Sequence, residues 1–466
     1  MPQPHLLYVA WGFPPSRGGG VYRALATANG FARAGFRVTV LTATRETFLD
    51  YTGADESLEA RVDPAVQVVR IPFDWPVMET DLRRWSALRA IAPRTWRKRQ
   101  LERDVHDFPE IGYGPWMLPL QEAALAIHGR DRVDLCVATA NPNVAFMAAH
   151  ALHAEAGVPY VMDYRDAWML DVFDGGLLHE EGGREDVLER ALLAGALEVW
   201  FVNEPIRAWH ARRHPRLADR FHVVSNGFDP EFAPLPRLTA SDPRCPLTFG
   251  YVGTASAKVP LAQFAAGWRL ARKTEPLLRD ARAQLWGYLG FYSAPSSALL
   301  KLVEDYAADG LSYCGPVAKT ALNETYSTFD ACLLTLGTGA YVTSGKVFEY
   351  AATALPIVSV HDPGNAATDV LRGYPLWFPV ADLSPQSIAE TLAAAAHAAR
   401  TVDEATRRAC ADFARQYDRD LQLAPRIAAL RARVADADEP AAGAAESQSL
   451  GPAAPESRAP GGQAPS

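Results

Sequence analysis

The sequence predicts an α/β protein of two Rossmann-like domains, each a doubly wound parallel sheet wrapped by helices. The chain has 466 residues, too many for one ordinary core. Of these, 48% are hydrophobic and 21% charged, the balance of a chain that buries sizeable cores. Short apolar or β-branched runs alternate with stretches of helical period in two separate series, the pattern of parallel sheets covered by helices.

The first series begins with LLYVAW, a helix over residues 20–34, FRVTVLTA and VQVVRIP. After a long interruption it resumes with VDLCVAT, a helix over about 142–156, VPYVMDY, a helix near 187–195, LEVWFV and a closing strand in FHVVSN. These runs define an N-terminal domain over 1–226. Residues 227–246 are Pro-rich and lack any period of two or 3.6, so they are assigned to a linker. The second series, LTFGYVGT, AQLWGYLG, LSYCG, FDACLLTL and LPIVSV, defines a domain over 247–401. Helices over 404–417 and 421–434 fill the segment 402–435. The Ala-, Pro-, Gly-, Ser- and Glu-rich tail at 436–466 is expected to be disordered.

A net charge of −8 argues against nucleic acid as a partner, because phosphate neutralisation needs surplus Lys and Arg. Of five scattered cysteines, Cys136, Cys314 and Cys332 lie in apolar runs and read as reduced core thiols of a cytoplasmic protein. The N-terminus lacks the basic region of a signal peptide, and no apolar run of about 20 residues is present to span a bilayer. Membrane contact, if made, is expected to be peripheral, at the inner face.

The interruption at about 74–118 places Trp75, Trp85, Trp96 and Trp116 among Arg83, Arg84, Arg89, Arg94, Arg97, Lys98, Arg99 and Arg103. One reading is a surface helical pair with snorkelling arginines. The other is a contact for an anionic lipid surface or a phosphate-bearing acceptor, through Trp96, Arg97, Lys98 and Arg99.

Two segments carry phosphate-binding chemistry. After the first strand, Gly18, Gly19 and Gly20 stand at the start of a helix, where close backbone approach and the helix dipole favour an anion. A dinucleotide site fits poorly, since Arg23 occupies the third glycine position and the second strand ends in Thr42-Ala43-Thr44-Arg45 without a ribose-binding acid. A structural strand-to-helix turn is the competing account. In the second series, the strand FDACLLTL leads to Thr343-Ser344-Gly345-Lys346 and a helix bearing Glu349. Small residues would expose backbone donors to a diphosphate, Lys346 would add a cation, and Glu349 would accept from a ribose hydroxyl or stay solvated.

The segment GKVFEYAATALPIVSV resembles the donor-site signature of retaining GT-B glycosyltransferases of the family 4 group, which often reads SKLFEYLAAGKPIV. Gly18 to Gly20 match that family's glycine loop. The stretch Asp163-Tyr164-Arg165-Asp166-Ala167-Trp168 resembles its D-x-R-D-x-W, Asn226-Gly227-Phe228-Asp229 its PNGVD, and Tyr251-Val252-Gly253-Thr254 its first donor-domain strand. The resemblance implies two domains facing a cleft, with the C-terminal helix packing back on the N-terminal domain. It implies a nucleotide-sugar donor, which is a substrate, and no cofactor. Glu349 would then bind the ribose, the backbone around Ser344 and Gly345 would hold the pyrophosphate with help from Lys346, Lys258 would be a second phosphate-binding lysine, and Gly253 and Thr254 would belong to the same donor site. Lys346 and Lys258 would stabilise the departing diphosphate, and Asp166 would orient a glycan, lipid-linked or small-molecule acceptor, unless it pairs with Arg165. Family members often carry a second glutamate eight positions before the ribose-binding one; here that position is Tyr341.

Other signals are set aside. His210 and His214 have the i, i+4 spacing of a metal pair but lack a third ligand, and are expected at the surface. Asp418-Arg419-Asp420 lies between helices and not after a strand, so no metal is expected. Two alternatives share the fold: a nucleotide-sugar 2-epimerase, for which no converging acid and histidine cluster is evident, and a non-catalytic partner protein, which Tyr341 keeps open.

Overall fold

The computed structural model describes residues 3–231, 234–256, 258–290, 295–318 and 321–438. The first series folds into a seven-stranded sheet of β1 (His5–Ala10), β2 (Arg37–Ala43), β3 (Val66–Ile71), β4 (Leu135–Ala140), β5 (Tyr160–Tyr164), β6 (Glu198–Phe201) and β7 (Phe221–Val223), in the order β3-β2-β1-β4-β5-β6-β7. The second comprises β8 (Thr248–Val252), β9 (Arg282–Trp286), β10 (Leu311–Gly315), β11 (Ala331–Thr335), β12 (Ile357–Val360) and β13 (Trp377–Pro379), ordered β10-β9-β8-β11-β12-β13. Every pairing between these strands is parallel. Strands such as HLLYVA and LCVATA are buried along their whole length, as sheets covered on both faces require.

In each sheet the strand order reverses beside the first strand, between β1 and β4 and between β8 and β11. Loops leaving neighbouring strands there diverge to opposite faces and open a crevice at the carboxyl edge, where ligands of open α/β sheets bind. Gly18–Gly20 follow β1, Gly253 and Thr254 follow β8, and the segment ending in Lys346 follows β11.

The last helix, Arg419–Asp438, packs back on the first sheet, as the resemblance implied. Leu423, Ile427, Leu430 and Val434 recur at helical spacing and join the core formed by Phe31, Phe36, Val38 and Val40. Gly30 of the Val21–Arg33 helix lets Ile427 approach, since a Cβ there would lie 3.0 Å from Ile427 Cδ1. The chain crosses between the two sheets at Gly227–Asp229 and again at Tyr417–Arg419, and the crossings are joined side by side. Phe228 N donates to Tyr417 O, Arg419 N donates to Phe228 O, and Arg419 pairs with Asp229 at 2.6 Å. Gly227 has φ +60, and a Cβ would meet Tyr417 O at 2.4 Å.

Several expectations change. The tryptophans of the 74–118 insert are not a set of interfacial rings. Trp116 is buried, Trp75 packs edge-on against Trp11, and both belong to the first core with Phe73 and Tyr113. Trp96 is half-buried and shares Arg89 with Trp85, the guanidinium lying 4.4 and 4.1 Å from the two rings. Arg97, Lys98 and Arg99 are exposed on the Pro93–Asp104 helix. His210 is fully buried, not at the surface: its Nδ1 lies 2.9 Å from Ile206 O and its Nε2 3.6 Å from Glu189 Oε1. Tyr164 OH donates to the same carboxylate oxygen. Cys136 and Cys332 are core thiols, whereas Cys314 is half-buried because β10 is a sheet edge. The last helix continues through 436–438, and the remainder of the tail expected to be disordered, 439–466, lies outside the described residues. Among the described residues no helix is long and apolar enough to cross a membrane.

Candidate active site

The first lip of the crevice is set by a buried ion pair. Arg23, two residues into the Val21–Arg33 helix, grips Asp163 of β5 with Nη2–Oδ1 at 2.6 Å and Nε–Oδ2 at 2.9 Å. Thr139 Oγ1 donates to Asp163 Oδ2 at 2.9 Å, and Arg23 Nη1 donates to Val224 O at 2.9 Å. Both charged side chains are almost wholly inaccessible, so the pair persists only because its hydrogen-bonding capacity is filled. This explains the arginine at the third glycine position: it ties the helix that follows the glycine loop to the sheet.

Beyond Asp163, Arg165 turns outward over the glycine loop. A Cβ on Gly20 would lie 2.0 Å from Arg165 Nη1, so a side chain there would displace the guanidinium from this position. Gly18 and Gly19 are exposed beside it. The Arg165–Asp166 ion pair considered above does not form. Asp166 instead accepts from Asn141 Nδ2 at 3.0 Å, and Arg165 makes no ion pair among the described residues. The loop bearing Asn141 is anchored by Glu110 of the insert, which accepts from Asn143 N at 3.0 Å and from Val144 N at 2.9 Å. Burial pushes the Glu110 carboxyl up to about 7 against the pull of these donors.

The opposite lip brings together residues far apart in sequence. Gly253 has φ +132, and a Cβ on it would fall 2.1 Å from Lys346 Cε. Lys346 therefore folds inward under the Gly253–Thr254 turn and does not extend into solvent. Its Nζ donates to Tyr251 OH at 2.8 Å and Thr254 O at 3.3 Å. Burial pulls its ammonium down to about 8, opposed by the nearby Glu349 carboxylate. Gly345 is exposed, with no atom within 4 Å of where a Cβ would stand. Glu349, half-buried, accepts from Tyr326 OH at 3.1 Å. Glu349 also faces the first unit: burial, followed by Asp55, Glu349 and Asp229, pushes the Tyr22 phenol up to about 12.

Lys258 stands apart from Lys346, its exposed side chain reaching across to place Nζ 4.4 Å from the Phe173 ring centroid. Tyr341 likewise leans on the first unit, with its ring against Gly175. Glu110, Tyr326, Asn141 and Phe173 escaped sequence reasoning, because only the tertiary fold brings them to the crevice.

Residues 18–227 match the model of the family described as "Glycosyl transferase 4-like domain". The fold is similar to sucrose-phosphate synthase from Thermosynechococcus elongatus, with TM-score 0.61 and 14% identity over 94% of this chain and 100% of that one. It is also similar to a glycosyltransferase from Rickettsia africae ESF-5, with TM-score 0.60 and 10% identity over 93% and 99%. A third likeness is a UDP-N-acetylglucosamine 2-epimerase, with TM-score 0.54 and 11% identity over 94% and 98%. No curated protein sequence matches the chain. The similarity to the glycosyl transferase 4-like family thus lies in residues 18–227, and the two sheets together have the GT-B fold. Glycosyl transfer is the activity that this match supports.

Proposed function

We propose that the protein moves a sugar from a nucleotide-sugar donor to a glycan, lipid-linked or small-molecule acceptor, with retention, in polysaccharide or glycoconjugate assembly. Residues 247–401 take the donor and residues 1–226 the acceptor. The observation that supports this most is Lys346 closing beneath Gly253–Thr254 at the point where the second strand order reverses. A donor diphosphate would lie over Gly253, Thr254, Ser344 and Gly345, with Lys346 below it and Lys258 supplying a second cation from the rim. Glu349 would accept from the ribose hydroxyl. Gly18, Gly19 and Gly20 would face the donor from the other lip, and Asp166, oriented by Asn141, would hold the acceptor hydroxyl. Charge builds on the diphosphate as the glycosidic bond breaks, so fixed cations there stabilise the transition state more than the ground state. The departing diphosphate takes the acceptor proton. A dedicated protein base and a metal ion have no part in this scheme.

A panel of nucleotide sugars tests the proposal. Slow donor hydrolysis without acceptor supports a transferase, inversion at C2 an epimerase, and no binding a non-catalytic protein. Within the panel, Glu349→Ala is expected to weaken nucleotide affinity about tenfold by removing a charged hydrogen-bond acceptor, with the fold intact. Unchanged affinity, measured by calorimetry, would remove Glu349 from the donor site.

The insert supports peripheral contact with an anionic membrane face. Arg97, Lys98 and Arg99 are exposed, and Ile91 and Leu82 of the same insert are 85% and 70% exposed, so the insert presents both cations and apolar groups to solvent. Each basic residue near such a surface contributes about 1 kcal/mol, so neutralising all three should lower sedimentation with anionic vesicles about a hundredfold. A wild-type protein that never sediments with them would end this part of the proposal.

A further inference from the structure

The segment between β11 and the Lys346–Ala352 helix has no regular structure of its own, and it is held from two sides. Near β11 it is held by its own unit: Asn365 Nδ2 donates to Gly337 O at 2.9 Å, and Ala366 N donates to Gly339 O at 3.2 Å. Near the helix it is held by the other unit. Asn203, just beyond β6, donates from Nδ2 to Tyr341 O at 2.7 Å and to Thr343 Oγ1 at 3.1 Å. Tyr341 N donates to Val172 O at 3.3 Å.

The orientation of the Asn203 amide is fixed. Its Oδ1 accepts from Ile206 N at 2.9 Å and caps the Glu204–Arg213 helix, which directs the NH2 group at the segment. Both donor hydrogens are then used, one on Tyr341 O and one on Thr343 Oγ1. Asn203 and Thr343 are nearly buried, so these bonds have little competition from water. The residue at the expected acidic position is thus gripped through its backbone, and its side chain packs against Gly175 of the first unit.

We infer that Asn203 is a positioning residue of the donor site: from the opposite unit it holds residues 341–343, and through them the start of the segment that leads into Ser344 and Gly345. This rests on the donor reading of Ser344 to Glu349.

Asn203→Asp separates the two roles of the residue, since aspartate caps a helix as well as asparagine but presents acceptors to Tyr341 O and Thr343 Oγ1. Thr343→Val removes one acceptor without touching the cap and carries the test if the first variant does not fold. The donor KM is expected to rise about tenfold in Asn203→Asp, from the loss of the bond to Tyr341 O and the repulsion between that carbonyl and the new carboxylate, and by less in Thr343→Val. The acceptor KM should stay near wild type. Backbone hydrogen exchange over 341–345 should accelerate in both. A donor KM within twofold of wild type and unchanged exchange would overturn the inference. If the wild type binds no nucleotide sugar, the donor reading fails separately, and exchange alone decides whether Asn203 holds the segment.

Discussion

Lys346→Met is expected to lower kcat/KM by about two to three orders of magnitude, the range seen when a preorganised group facing developing charge is removed. Methionine fills the space beneath Gly253 about as well as lysine, so the loss would come from the missing cation and not from collapse of the turn. Stability should hold or rise, because the variant no longer buries an ammonium. The pH dependence carries the sign. Burial holds Lys346 at about 8, and the protonated form is the one that neutralises diphosphate. The kcat/KM profile, which reports the free enzyme, should therefore fall as pH rises through about 8. Bound diphosphate favours the ammonium, so the corresponding limb of kcat should lie at higher pH. Stability runs the other way. Between about 8 and the ordinary lysine value the unfolded chain binds the additional proton, so this group's penalty is full below 8 and is relieved above it. Lys346→Arg, charged throughout, should abolish the alkaline limb of kcat/KM. Steady-state kinetics from pH 6 to about 10 decides the matter, and an alkaline limb unchanged in Lys346→Arg assigns it to another group.

The largest stability effect is expected from Asp163→Asn. It leaves the Arg23 guanidinium buried without its counter-charge, at a cost of about 3–5 kcal/mol and a fall in Tm on the order of 10 °C. The double variant Arg23→Met, Asp163→Leu removes both charges and should be less destabilised than the single one. Thermal denaturation of the three proteins measures this, and a double variant less stable than Asp163→Asn would contradict it. The pair holds the helix that begins at the glycine loop, so Asp163→Asn should also loosen Gly18–Gly20 and Arg165, only two residues beyond the lost charge.

The two sheets were legible because parallel strands covered on both faces read as unbroken apolar runs, as in LCVATA and ACLLT. The last helix was legible as a helix from Leu423, Ile427, Leu430 and Val434, but those four residues do not say which surface they cover. Only the resemblance pointed to the first sheet. At the site, the residue types of the donor segment were readable and their contacts were not. Lys346 lies against Gly253 because that glycine has no Cβ to fill the space taken by Lys346 Cε, a contact between distant segments with no local sequence pattern. Burial misled most where polar residues serve the core. His210 sits in the polar run HARRH yet faces the interior, because a carboxylate and a phenol from other elements receive it. Trp75 and Trp116 lie in a basic stretch yet pack around Trp11, since ring-to-ring contacts between distant segments decide their place.

The closure of the first sheet by Arg419–Asp438 bears on synthesis. A chain emerging from the ribosome folds its N-terminal unit first when that unit is continuous in sequence. Here the face formed by Phe31, Phe36, Val38 and Val40 waits, uncovered, until nearly 200 further residues have been made. The second unit is thus finished before the first, and the nascent protein carries an incompletely covered apolar face throughout that interval. A fragment cut after residue 227 would keep that face permanently bare, and a separately supplied peptide spanning 419–438 would be its natural complement.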